Sequence, residues 1–297
     1  MKKWIYLLMI FGLFILGGCN LFSGLDEEDL DGSSFDYKLE ESMASGDYAT
    51  VVSLIDNKIA GSSELSLIDN QVETALGNDG SVDWTSLGAI EVYYEGITDY
   101  LNNNISNPNV KEYIDLKLTL AEAQLGLSEL KMTDIIAQLT EATKSTTKAP
   151  STITIGKLIP AGLDRDSLTA AITTYLISLP STQMLNDYEI NYLNAALSSA
   201  ISSIHRFLEV FTEDPSVETL VWKSYSTTLQ SEWNTERDRA VLEIIAAKNL
   251  LNLYGVGSGV IDQGDLDDIN ANINSILNQI DFDNEGEYNT FRSTIGL

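Results

Sequence analysis

The sequence predicts an all-α protein of stacked antiparallel helix hairpins, arranged either as a solenoid or as a helical bundle. Apolar residues recur at steps of three and four along most of the chain, which is the spacing of one helix face. Only five of the 297 residues are proline, whereas Leu, Ile and Ala are abundant. Apart from one short stretch at residues 152–155, no alternation of apolar and polar residues indicates a strand.

Six helices are predicted in the first half of the chain, over residues 34–45, 47–61, 63–76, 83–101, 107–127 and 133–141. Gly46 separates the first two, and Asp47 is a residue type that caps a helix at its amino end. Asn107 and Pro108 fit the N-cap and first position of the fifth helix. The face predicted for that helix consists of Tyr113, Leu116, Leu120, Ala123 and Leu127.

The composition changes over residues 143–163. No acidic residue occurs between Glu141 and Asp164, but three lysines do, namely Lys144, Lys148 and Lys157. The prolines and glycines of this segment exclude a long helix. We therefore expect a basic loop or linker between a helical-repeat part, residues 34–142, and a second helical part, residues 164–297, packed on the first.

Five further helices are predicted over residues 164–179, 187–211, 220–233, 235–254 and 265–280. The one over 187–211 has the most regular apolar spacing. The residues from Thr235 to Asp238 fit a capping box, so a new helix is predicted to begin there. The glycines at 255, 257 and 259 predict a loop.

Two short stretches resemble tetratricopeptide repeats. Gly46-Asp47-Tyr48 resembles the start of the second helix of such a repeat, although Val51 stands where that family has alanine. Residues 118–126 resemble a first helix, with small residues that let helices approach closely. The resemblance covers parts of residues 46–59 and 113–136, and no regular 34-residue period runs along the chain. It implies helix pairs that act as an interaction scaffold.

The amino-terminal residues have the pattern of a secretory signal. Lys2 and Lys3 precede an apolar run over residues 4–16 that is too short to span a bilayer. Leu16-Gly17-Gly18-Cys19 resembles the lipobox of bacterial lipoproteins. That family implies cleavage of residues 1–18, diacylglycerol on the Cys19 sulfur and a further acyl chain on its amine. The alternative is an ordinary signal peptide with an incidental cysteine.

Residues 19–33 are expected to form the lipid anchor and an acidic tether. Like charges over Asp26 to Asp29 and at Asp31 keep such a segment extended. Its 14 residues after Cys19 reach about 45–50 Å at full stretch. Two acyl chains give stable anchoring without another membrane-binding surface.

The net charge of −27 excludes nucleic acid as a partner, because an acidic surface repels it. Loss of Lys2 and Lys3 with the signal would leave a net charge of −29.

Cys19 is the only cysteine, so its acylation leaves no thiol for a disulfide, a zinc site or a nucleophile. His205 is the only histidine, lies at the edge of an apolar stripe, and is interpreted as structural. The sequence predicts neither a cofactor nor a metal site.

Two features are candidates for a binding surface. Glu122 lies between Leu118 and Leu125, where a buried carboxylate either serves as an acid or a ligand contact or bonds a Tyr or backbone group between helices. Trp222, Tyr225 and Trp233 form an aromatic stripe, which belongs either to the core or to a groove for a partner. The acidic residues 281–286 begin like a calcium loop, but Arg292 stands where the twelfth position requires a bidentate Glu.

These observations predict a non-catalytic, membrane-anchored extracytoplasmic lipoprotein that serves as a protein-interaction scaffold in an envelope or surface complex. The alternative is a ligand-binding accessory lipoprotein of a transport system, which partners a solute-binding protein. An enzyme with paired Glu or Asp residues is a third class. Asn20 differs from the Asp that resembles an inner-membrane retention signal in enteric bacteria, so an outer-membrane position is expected.

Overall fold

The computed structural model describes residues 34–75, 100–132, 159–160, 162–179, 185–213, 221–258 and 282–294, together with residues 267 and 271. Within these ranges all regular structure is helical, which confirms the predicted all-α class. The helices are α1 Phe35–Ser45, α2 Tyr48–Gly61, α3 Ser63–Ala75, α4 Pro108–Leu127, α5 Arg165–Ser178, α6 Leu185–Phe211, α7 Thr227–Ser258 and α8 Glu285–Thr294. No helix in this part of the chain is long and apolar enough to cross a membrane.

The predicted starts of four helices are confirmed, and at Asp47 and Asn107 the predicted capping residue is confirmed as well. Ser34 accepts a hydrogen bond from the Tyr37 N–H, and Gly46 ends α1 with a left-handed φ of 76°. The Asp47 carboxylate accepts from the Thr50 N–H at 3.3 Å. Asn107 caps α4 with Pro108 in its first turn, and Asp164 caps α5. These boundaries depend on local contacts, which the sequence alone specifies.

Helix α4 lies at the centre of the first part and packs against α2, α3 and α5. It is therefore buried on more than the one predicted face. The prediction that Leu127 belongs to this face is wrong, because 37% of the residue is exposed. The ring of Tyr48 on α2 lies directly over Gly126 of α4. An alanine side chain at Gly126 would lie 2.3 Å from Tyr48 Cε2, so only glycine fits there.

The second part is built on the long pair α6 and α7, and α5 packs between this pair and α4. The prediction of two helices over 220–254 is wrong. Residues 221–226 are not helical, and Trp222 forms an isolated bridge with Thr212. Helix α7 then runs without interruption from Thr227 to Ser258, and it passes through Thr235 and the predicted loop glycine Gly255. Thr235 donates to the Ser231 carbonyl within this helix and caps nothing.

Two clusters of buried side chains form the described core. The main core joins α2, α3 and α4 to α5, α6 and the carboxyl-terminal half of α7, and it includes Ile159. The second, which we call the aromatic cluster, lies between α6, α7 and α8; its rings are Phe207, Phe211, Trp233, Phe282, Tyr288 and Phe291. The predicted helices over 83–101, 133–141 and 265–280 lie outside the described residues, except for 100–101, 267 and 271.

Candidate functional site

The side chains of α4, α5 and α6 form a polar junction at the edge of the main core, which we call the Glu122 junction. Asp115 and Glu122 are two turns apart on α4 and therefore face the same side. The hydroxyl of Tyr188 on α6 donates to Asp115 Oδ1 at 2.8 Å. The amide of Asn191, also on α6, donates to Glu122 Oε1 at 3.1 Å. Two carboxylates of one helix thus bind two donors of another.

Helix α5 completes this junction. The hydroxyl of Thr174 donates to Gln124 Oε1 of α4 at 2.9 Å. Tyr175, one residue later, is fully buried. Burial and the charge of Glu122 raise the pKa of the Tyr175 hydroxyl well above its usual value, and this hydroxyl has no hydrogen-bond partner among the described residues. The hydroxyl therefore stays protonated and neutral.

Glu122 itself has an unusual ionisation equilibrium. Burial raises the pKa of its carboxyl to about 7, and the hydrogen bond from Asn191 offsets only part of this effect. No positively charged group of the described residues contributes to this pKa. Glu122 is thus a carboxylic acid that changes charge near neutral pH, at the point where three helices meet. Glu122 does contact a neighbouring helix, but its partner is the side-chain amide of Asn191 and not the predicted Tyr or backbone group.

A second polar assembly, the arginine–glutamate network, joins α5, α6 and α7. Arg165 on α5 binds Glu209 on α6 and also donates to Glu236 on α7 at 2.8 Å. Burial raises the pKa of Glu236, but hydrogen bonds from Arg206 and Arg165 outweigh this and hold that pKa below its usual value. Glu236 therefore remains an anion shared by two guanidinium groups.

Arg206 is the centre of this network and is 5% exposed. Its guanidinium lies 2.7 Å from Glu236 and binds both oxygens of Glu243 at 3.1 and 3.0 Å. A further donor reaches the Thr169 hydroxyl on α5 at 3.0 Å. Arg239 lies 3.8 Å from Glu243 on the other side. Burial raises the pKa of Glu243 more than the neighbouring arginines lower it. The charged form of Glu243 therefore depends on its short contacts with Arg206.

His205 borders the network, as its position beside an apolar stripe indicates. Its Nδ1 lies 3.6 Å from Glu209 Oε2, and the residue is buried. Burial lowers the pKa of His205, Glu209 opposes this, and Arg165 and Arg206 lower the pKa further. The imidazole is therefore neutral at pH 7 and does not serve as a cation of the network.

Sequence reasoning missed the arginine–glutamate network. The chain contains only five arginines, and three of them belong to it. Arg206 stands inside the apolar pattern of α6, between Ile204 and Leu208, and such a position requires a buried acidic partner. The rarity and position of this arginine were therefore a usable indication of a buried ion pair.

The predicted aromatic stripe is divided between the core and the surface. Trp233 is fully buried in the aromatic cluster, 5.0 Å from the ring of Phe211, so it is not available to a partner. Trp222 and Tyr225 are partly exposed. The Tyr225 hydroxyl donates to Gln230 Oε1 at 2.8 Å, and Arg292 lies over the Trp222 ring. Of the three predicted contact residues, two thus reach the surface.

The acidic residues after 281 start helix α8, which the sequence interpretation missed. The Asn284 side chain accepts from the Glu287 N–H at 3.1 Å, and the Glu287 carboxylate accepts from the Asp283 N–H at 2.7 Å. These carboxyl and amide oxygens cap a helix. In the described part of the chain no group of His, Cys, Asp and Glu residues has an arrangement that could hold a metal ion.

Cys19, the acidic tether and the three lysines of the basic segment lie outside the described residues. Comparisons with protein-family models, with curated proteins and with solved structures give no match to this chain.

Proposed function

We propose that the protein is a lipid-anchored, extracytoplasmic scaffold that binds another envelope protein and catalyses no reaction. The main support for the proposal is the order in which an anchor, a tether and a helical body follow one another along the chain. The lipobox-like residues 16–19 are followed by an acidic tether, and a helical body begins at Phe35. A tether of this length holds such a body up to about 45–50 Å from the membrane.

In the described residues the buried polar side chains bond to one another between helices, and this supports a non-catalytic role. The arginines and glutamates of the network, of which Arg206 and Glu243 are buried, neutralise one another across three helices. The raised-pKa carboxyl of Glu122 bonds an amide, Asn191, and not a second carboxylate or a hydroxyl nucleophile. The arrangement thus fits the stabilisation of a rigid helical body.

The charge of the chain indicates the kind of partner. The sequence has 44 acidic and 17 basic residues, and a surface so acidic attracts proteins with basic patches and repels anionic lipid headgroups. The packing of Tyr48 on Gly126 fits a body of closely paired helices. We place the anchor in a bacterial membrane, on the periplasmic side of the outer membrane or at the cell surface.

The anchoring is tested with Cys19→Ala in the native host. The variant is expected to stay uncleaved or soluble, without partitioning into detergent as a lipoprotein, since no sulfur remains to be acylated. Asn20→Gln is the matched control, because it leaves Leu16 to Cys19 intact and should partition normally. Unchanged partitioning and an unchanged mature mass for Cys19→Ala would refute the lipoprotein proposal.

The scaffold role is tested by chemical cross-linking of the anchored protein in intact envelopes, followed by purification and mass spectrometry. We expect one envelope protein to be captured in a constant ratio, at lysines or acidic groups of the helical body. Capture of a solute-binding protein of a transport system would favour the accessory role instead. Recovery of the protein alone, at cross-linker levels that capture known envelope complexes, would refute both roles.

A further inference from the structure

One face of α6 is buried and mostly polar, and we call this face the polar seam. It consists of Asn191, Ala195, Ser199, Ser202 and Arg206. Steps of three and four residues keep these side chains on one side of the helix. All five residues are buried. The seam is about 22 Å long, at a rise of about 1.5 Å per residue. It therefore connects the Glu122 junction to the arginine–glutamate network.

The two serines in the middle of the seam have no hydrogen-bond partner among the described residues. Ser199 is 0% exposed and Ser202 is 1% exposed, and neither hydroxyl makes a hydrogen bond there. The adjacent serines differ, since Ser198 donates to the Ala195 carbonyl and Ser203 donates to the Ala240 carbonyl of α7. Burial of a hydroxyl without a partner is unfavourable, so such groups in folded proteins bind protein atoms or ordered water.

The positions of the two serines fit a shared water molecule. Arg206, on the same face, reaches Thr169 of α5 and Glu243 of α7, so the serines face the space between these helices. Burial raises the pKa of Glu243, and Ser202 is one of the nearby groups that lower it, which places this serine beside the carboxylate. Side chains three residues apart on a helix have β-carbons about 5–6 Å apart. One water at about 2.8 Å from each oxygen spans that distance.

The Tyr175 hydroxyl is a third buried group without a partner, at the other end of the seam. The residue is fully buried, and no described group bonds its hydroxyl. Burial and the nearby charge of Glu122 raise the pKa of this hydroxyl, and Glu122 itself bonds Asn191, the first residue of the seam. Three buried hydroxyls without partners therefore lie along one seam. Apolar cavities in proteins stay dry, whereas spaces lined by several polar groups hold water.

We propose that the polar seam is a binding site for buried water, in which one water molecule bridges the hydroxyls of Ser199 and Ser202 and a second binds the hydroxyl of Tyr175. The waters supply hydrogen bonds that α5, α6 and α7 do not supply to one another. The lining favours a neutral ligand, because Arg165 and Arg206 already bind carboxylates. This inference does not depend on the proposed scaffold function.

The first measurement is a crystal structure of the full-length protein in detergent, at a resolution that shows ordered water. In the wild type we expect density for a water within about 3.2 Å of both serine oxygens, and for another at Tyr175. In the double variant Ser199→Ala, Ser202→Ala the first density should be missing while the second remains. Serine hydroxyls that donate to the carbonyls four residues earlier, with no water between them, would overturn the bridging site. A dry Tyr175 hydroxyl would refute the second site.

The second measurement is chemical denaturation of the single and double serine variants. A shared water couples the two residues, so the effect of both substitutions on the unfolding equilibrium constant should differ by at least about twofold from the product of the single effects. Ser198→Ala and Ser203→Ala, alone and together, are the control pair. Their effects should multiply, because each hydroxyl has its own carbonyl partner. Independent effects at Ser199 and Ser202 would contradict a bridging water.

Discussion

Single residues set the distance between neighbouring helices in this protein. At Gly126 the Tyr48 ring occupies the space of a missing side chain. At Arg206 one guanidinium connects three helices. The sequence placed Tyr48 and Gly126 in two separate stretches that resemble tetratricopeptide repeats, but it did not predict that they touch. Nor did it indicate the second contact, since the acceptors of Arg206 lie at least 30 residues away.

Replacement of Gly126 by alanine is expected to lower the free energy of unfolding by about 1–3 kcal/mol, because the new methyl group overlaps the Tyr48 ring. Chemical denaturation of both forms measures this loss. Gly61→Ala is the matched control, since nothing lies within 4 Å of an added Cβ there. A neutral effect at Gly126 would show that Tyr48 does not hold α2 against α4.

Replacement of Arg206 by methionine is expected to lower the free energy of unfolding by about 3–5 kcal/mol, because it leaves Glu243 buried without its main partner. The double variant Arg206→Met, Glu243→Leu should lose less, since neither charge remains. Lys58→Met is the control at an exposed ion pair and should cost about 0–1 kcal/mol. A larger loss in the double variant than in the single one would contradict a buried pair.

At the scale of helices, prediction from sequence succeeded where the determinants are local and failed where they are not. Ser34, Asp47, Asn107 and Asp164 cap helices through contacts two or three residues away. Helix α8 was missed because its side chains are mostly polar, and only its aromatic residues reach the core. The capping box at Thr235 was wrong because packing of α7 along α6 favours a continuous helix. The partner of Glu122, Asn191, is 69 residues away and no local pattern identifies it.

The continuity of α7 can be tested by replacing Thr235 with alanine. Within a helix this change removes a β-branched residue, so stability should stay equal or rise by up to about 0.5 kcal/mol. At a true N-cap the change costs about 1 kcal/mol, which is the loss expected for Asp47→Ala at the start of α2. Thermal unfolding of both variants distinguishes the cases. A loss at Thr235 as large as that at Asp47 would mean that a helix begins there.

For the whole molecule, the buried charges and the surface charges have opposite effects on the stability of the folded protein. The Arg206–Glu243 pair at the centre of the arginine–glutamate network is buried, so dissolved ions have little access to it. Arg165 and Glu209, at the edge of the network, are partly exposed. The rest of the chain carries a large excess of acidic groups, because the net charge is −27. Repulsion among these groups acts over distances comparable to the Debye length, about 10 Å at 0.1 M salt. We therefore expect long-range repulsion among the acidic groups to lower the stability of the folded protein.

Sodium chloride is accordingly expected to stabilise the protein. Between about 20 and 200 mM salt the melting temperature should rise by about 2–4 °C, the shift that about 1 kcal/mol produces in a chain of this size. Scanning calorimetry at pH 8 measures it, and calcium chloride at matched ionic strength is the control. A larger rise with calcium would reveal a specific cation site in the acidic surface. A melting temperature that stays constant or falls with sodium chloride would mean that the attractive surface pairs outweigh the net repulsion, which the ratio of 44 acidic to 17 basic residues argues against.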